Sequence, residues 1–244
     1  MESKAVADTA NGGNRSERLA EIRQRHEDGW VVLSSLVFFR TIGEREMLPQ
    51  MRAAAQEIAD YLMSQPQYVG MARVLGGLEP ENQDSVKSAL AKDMIGHASA
   101  AIDGAMIVFA HSLFDSCVDA LLDFSFEFSS ERWASQVGRV EIKASFAELS
   151  GASLDHYRRV ALKQLLGRLK TKSLQDKIRA LCAACELQRG QTPVDFDDLK
   201  ELNATRNAIV HGDMLGQHIP DTLKLLRQAG TTGPQLIDLV GSVP

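Results

Sequence analysis

The chain has 244 residues, of which 44% are hydrophobic and 24% charged, enough apolar material for a core and far from the composition of disordered or collagen-like chains. Its formal charge of −5 does not mark a basic nucleic-acid coat or a basic membrane binder. Three cysteines, Cys117, Cys182 and Cys185, are too few and odd in number for a secreted disulfide framework and suit a reducing compartment.

Residues 1–14 are polar and read as a disordered tail, with no apolar segment like that of a signal peptide. Asn14 then caps a helix that carries Glu17 at its third position and runs to Gly29. Trp30 to Phe39 is apolar and partly β-branched, but no strand partner is seen elsewhere, so it reads as a buried helix. At about ten residues it is half the length of a membrane span. Pro49 opens the next helix, which ends before Pro66, and 76–84 reads as a loop. Asp84 to Phe128 contains no proline and carries Ile102, Met106, Phe109, Leu113, Val118 and Leu121 at helical spacing, as one long helix or two end to end. A looser stretch, 129–150, separates it from helices over Leu154–Lys170 and Ser173–Leu187. Thr192-Pro193 would start another helix that ends at His211, with Gly212 in the left-handed position beyond it. A short last helix spans Thr222–Gln228. The expected architecture is an all-α bundle with a long central helix beside the motif helix. It divides into a tail (1–14), N-terminal helices (15–83) and a main helical domain (84–244).

The helix ending at His211 is the informative one. With Arg206 at 0° and roughly 100° per residue, Leu199, Leu202, Ile209 and Val210 all fall within about 60° of it. Asn207 and His211 lie on one flank. Arginine keeps its charge, and a buried unpaired charge is very costly. Arg206 must therefore meet a carboxylate, for which Asp115 and Asp119 are candidates, or emerge into a cleft or interface. His211 sits beside the helix C-terminus, where the dipole favours a cation, and an imidazole there suits general acid–base work. A capping histidine on the surface is the plainer reading.

Arg206-Asn207-Ala208-Ile209-Val210-His211 resembles the R-N-x-x-x-H motif of the HEPN superfamily (higher eukaryote and prokaryote nucleotide-binding domains). The helix around Ile102–Phe124 resembles the long helix beside the motif in that family, with Asp115 where a Glu often stands. The resemblance covers roughly 84–228. It implies an all-α homodimer with a composite active site, cleaving RNA without a metal or other cofactor. The ribose 2′-OH attacks the adjacent phosphate and leaves a 2′,3′-cyclic phosphate. His211 is the implied acid or base, Arg206 the phosphate-stabilising cation and Asn207 an orienting group. Many such proteins act as toxins or defence effectors, with an antitoxin or another protein in trans as a candidate partner; the cysteine count and polar N-terminus make the cytoplasm the expected location. The alternative is a non-catalytic module of the same fold that binds RNA or a protein; a third reading is an unrelated helical scaffold.

Residues 139–189 hold eleven Lys/Arg against five Asp/Glu, a net of +6, which leaves −11 for the rest of the chain. Arg158, Arg159, Lys163, Arg168 and Lys170 are the candidate RNA contacts. A solvated helix surface explains the same pattern. Cys182 and Cys185 form a CxxC without a second pair, so two buried thiols are favoured over a zinc site. His111 and Asp115, one turn apart, read as an i,i+4 pair rather than metal ligands.

Overall fold

The computed structural model describes residues 2–65, 83–133, 153–186, 194–214, 219 and 221–243. These are almost wholly helical and contain no strand. The helices are α1 (Glu2–Ile42), α2 (Leu48–Ser64), α3 (Gln83–Phe128), α4 (Leu154–Lys170), α5 (Leu174–Ala184), α6 (Phe196–His211) and α7 (Thr222–Ser242). A π-helical turn, Gly43–Met47, joins α1 to α2, and a 3₁₀ turn, Ser130–Trp133, follows α3. Expectations for 66–82, 134–152 and 187–193, including the two loops and the Thr192-Pro193 start, lie outside the described residues.

Several boundaries move. The α1 helix is continuous from Glu2 through Asn14 and Gly29, where the sequence predicts a tail, a cap and a stop. Ala5, Ala7 and Ala10 supply strong helix propensity in the supposed tail. Gly29 is kept small by contact: a methyl there would overlap Leu113. The last helix continues through Pro234 to Ser242, well past Gln228. α6 begins at Phe196, where the Asp195 carboxylate accepts from the N–H groups of Asp197 at 2.9 Å and Asp198 at 3.3 Å. Its far end stops as expected: Gly212 has φ 86°, and its N–H donates to the Ile209 carbonyl. Ser153 and Ser173 cap α4 and α5 in the same side-chain manner.

The chain forms two compact units that do not follow chain order: 1–31, 110–204 and 224–244 in one, 32–109 and 205–223 in the other. The boundary read at 83/84 falls inside the second. In the first unit the core collects Phe114, Leu121, Leu122, Phe124, Trp133, Ile178, Leu181, Leu225 and Leu236, all under 3% exposed. Each such side chain contributes roughly 1.5–3 kcal/mol on leaving water. The α3 stretch from Lys87 to Phe128 is long and apolar enough to cross a membrane by length and composition, although half of its most apolar 18-residue window is buried within the chain. α3 is about 70 Å long at 1.5 Å per residue.

Two glycines let α1 and α7 meet in the first unit. Trp30 lies over Gly230, and a methyl at Gly233 would overlap the imidazole of His26. His26 is 2% exposed, packs edge-on against Trp30 with ring centroids 5.9 Å apart, and has neither ring nitrogen hydrogen-bonded among the described residues. Burial lowers its pKa to about 4. The folded state therefore excludes a proton that the unfolded chain takes up below about 6.5, so stability is lost as pH falls from about 6.5 towards 4. Denaturant unfolding is expected to show roughly 2–3 kcal/mol of this loss at the acid end of that window. His26→Leu should flatten this part of the pH profile; an unchanged slope would show that His26 is not the group responsible.

Candidate functional site

The motif residues occupy the last turns of α6, in the second unit. The α6 axis reaches the second-unit part of α3 at Gly104, where a built Cβ would sit 3.4 Å from Ile209 Cγ2. One residue earlier on α3, the Asp103 carboxylate is almost fully buried and is taken by Arg40 of α1, whose Nη2 donates to Oδ2 at 2.8 Å. That pair leaves no carboxylate at this level of α3 for the motif arginine.

Arg206 is half-buried, and its Nη1 donates to Oδ1 of Asn207 at 2.9 Å. Its Nε has no hydrogen-bond partner among the described residues, and none of their carboxylates forms an ion pair with it. On a helix, Arg206 and His211 point roughly 140° apart and about 7.5 Å along the axis, whereas Asn207 and His211, four residues apart, are neighbours on one ridge. The bond to Asn207 ties the guanidinium to the ridge that carries Asn207, and His211 is exposed one turn further along that ridge. The three residues line none of three cavities, the one at Asp198 and Gln228, the one at Arg52 and Lys92 and the one at His26 and Cys117.

Asp115 and Asp119 are not the partners of Arg206. Both bind Lys177 of α5, at 2.8 Å and 2.9 Å, and that ammonium is only 3% exposed. Burial works against the charge on Lys177, but hydrogen bonds and charge from both aspartates outweigh it and hold its pKa above the ordinary lysine value. The sequence counts Lys177 within the basic stretch 139–189. Its spacing from Leu174 and Leu181, three and four residues away on a helix whose other face is polar, is the signal that it points inward. His111 reaches across to Asn203 of α6, Nε2 to Oδ1 at 3.1 Å.

The candidate RNA contacts lie on α4, in the first unit. Arg158, Arg159, Lys163, Arg168 and Lys170 are all exposed. Lys170 is engaged by Asp123 at 2.7 Å. Arg159, Lys163 and Lys170 share one stripe within about 40° of the helix circumference. Cys182 and Cys185 are buried free thiols, as is Cys117. Burial pushes Cys182 up to about 11 and Cys117 up to about 12, which makes them poor nucleophiles and poor metal ligands. Among the described residues no three His, Cys, Asp or Glu side chains converge as a metal site would require.

No family model, curated protein or solved structure matches the chain.

Replacing Lys177 leaves two carboxylates facing each other beside a closed core. Lys177→Met is expected to cost about 3 kcal/mol and to lower the melting temperature by several degrees. A variant as stable as wild type would show that the ion triad is not a stability element.

Proposed function

We propose that the chain is a HEPN-type endoribonuclease that works as a homodimer, with Arg206 and His211 of both copies around one scissile phosphate. The observation that carries this reading is the guanidinium of Arg206. It stands on the motif helix hydrogen-bonded to an amide oxygen, while the half-buried Asp115 and Asp119 of α3 are occupied by Lys177 and the buried Asp103 by Arg40. A cation held by a neutral neighbour retains its attraction for an incoming anion.

His211 takes the proton from the ribose 2′-OH. The freed oxygen bonds to phosphorus, and the P–O5′ bond breaks. His211 of the second copy returns a proton to the departing 5′ oxygen. Arg206 balances the extra negative charge on the phosphate oxygens at the point of highest charge, and Asn207 holds that guanidinium in place. The products are a 2′,3′-cyclic phosphate and a 5′-hydroxyl. The steps need no metal, and a strand without the 2′-OH is not a substrate. The exposed Arg159 and Lys163 of α4 are further candidates for phosphate contacts, which hold RNA without reading its bases. This activity suits a toxin or defence effector of the cytoplasm, held in check by an antitoxin or another protein in trans.

A non-catalytic module binding RNA or a protein is the second reading. It is favoured by the open setting of the motif, whose His211 is exposed at the end of α6.

The test is digestion of total RNA and tRNA in EDTA. Wild type is expected to cut and to leave cyclic-phosphate 3′ ends. His211→Ala should lose roughly 10²–10⁴-fold in rate and Arg206→Ala roughly 10²–10³-fold, with folding intact. Cutting that survives both substitutions refutes the assignment. No cutting by a folded wild-type dimer that still shifts RNA in a gel favours the binding module.

A further inference from the structure

In the second unit the end of α1 and then α2 run antiparallel to α3, and ion pairs mark the register. Arg40 meets Asp103 at one level, and Lys87 meets Asp60 at another, at 2.8 Å. Each of these crossings matches a cation with a carboxylate. The level between them does not. There α2 presents Arg52 and α3 presents Lys92, both exposed and both bordering one cavity of about 360 Å³. Among the described residues neither forms an ion pair or a hydrogen bond. Glu57 of α2 and Asp93 of α3 lie roughly 140–150° round their helices from the cavity, and Asp60 is held by Lys87 and Gln56. Two like charges across one groove repel. In a chain of net charge −5, carboxylates that could relieve them are plentiful, yet none borders this cavity.

We propose that this cavity binds a small phosphomonoester, its phosphoryl dianion shared by Arg52 and Lys92 and its organic body resting on Leu48 and Ile95. Charge selects the dianion, because a single carboxylate would leave one of the two cations unmatched. Donor geometry selects the phosphoryl group. A guanidinium engages two oxygens as a fork, an ammonium serves a third as a point charge, and the Ser88 hydroxyl adds a further donor at the rim. The apolar side chains select an ester over the free ion. Leu48 lies one turn before Arg52 on α2, and Ile95 lies three residues after Lys92 on α3, so each cation has an apolar neighbour on its own ridge. The volume is that of a pocket for one small molecule, at the lower end of the roughly 300–1,000 Å³ range of such sites. The site uses none of the motif residues of α6, and the inference holds whether or not the chain cuts RNA.

Titration of the full chain with phenyl phosphate, followed by backbone amide NMR shifts, tests it. Saturable shifts in α2 and α3 are expected, with half-saturation on the order of 1 mM for so small a probe. Inorganic phosphate, which lacks the apolar body, and dimethyl phosphate, a singly charged diester like a nucleic-acid backbone, are each expected to bind about 10-fold more weakly. Arg52→Gln and Lys92→Gln should each weaken phenyl phosphate at least about 5-fold, whereas Arg227→Gln, which removes an exposed charge from α7, should leave it unchanged. Lys92→Glu is expected to abolish binding while raising the melting temperature by about 1–2 °C, because it gives Arg52 the carboxylate that the other crossings have. That pairing of outcomes separates loss of the site from loss of the fold. Shifts that do not saturate by roughly 20 mM phenyl phosphate, binding that survives in Arg52→Gln/Lys92→Gln, or dimethyl phosphate binding as tightly as phenyl phosphate would each overturn the proposal.

Discussion

A charge that cannot be discarded must be matched, and the placement of three cations in this chain follows from that. Lys177 and Arg40 are drawn into the two units, and each takes its carboxylates from α3: Asp115 and Asp119 for the lysine, Asp103 for the arginine. Removing one partner of such a group leaves a buried charge that costs several kcal/mol, so these pairs fix which faces of α3 look inward. The third cation, Arg206, is left on the motif helix with Asn207 as its partner among the described residues.

The same helix, α3, explains why the motif is displayed. It approaches α6 at two levels, through His111 and Asn203 in the first unit and through Gly104 and Ile209 in the second. Gly104 weakens the helix by propensity but admits Ile209 at contact distance. With one side of α6 held there, the flank bearing Asn207 and His211 is left outward. A single copy offers that flank as an open surface, which is why a reaction needing two proton-transferring groups on opposite sides of one phosphate is assigned to a pair of copies.

Much of this was legible from residues alone where the determinant is local. Ser153 sets the start of α4, and the left-handed Gly212 sets the end of α6, because a cap acts within a few residues of itself. The helical character of Trp30–Phe39 was readable too, but its burial was not: the pattern shows that a helix is apolar all round, not whether the chain has enough neighbours to cover it. Partners across helices were the least legible. Spacing places Asp115 and Asp119 on one ridge of α3, yet nothing local says that α5 rather than α6 lies against it. The inward spacing of Lys177 was the available signal, and it was masked by the surrounding basic residues. The composite site proposed above would depend on a chain-to-chain contact, which neither local pattern nor a single copy displays.

The central claim is that Arg206 is kept for an anion brought from outside, while Arg40 is spent within the fold. Nitrogen-detected NMR of the arginine Nε–H groups, with an uncleavable 2′-deoxy-substituted RNA oligonucleotide added stepwise, addresses it directly. The Arg206 resonance should shift in proportion to bound oligonucleotide and be absent from the spectrum of Arg206→Lys, while the Arg40 resonance stays in place. An Arg206 signal that does not move at saturating RNA, in a protein that binds that RNA, would contradict the account.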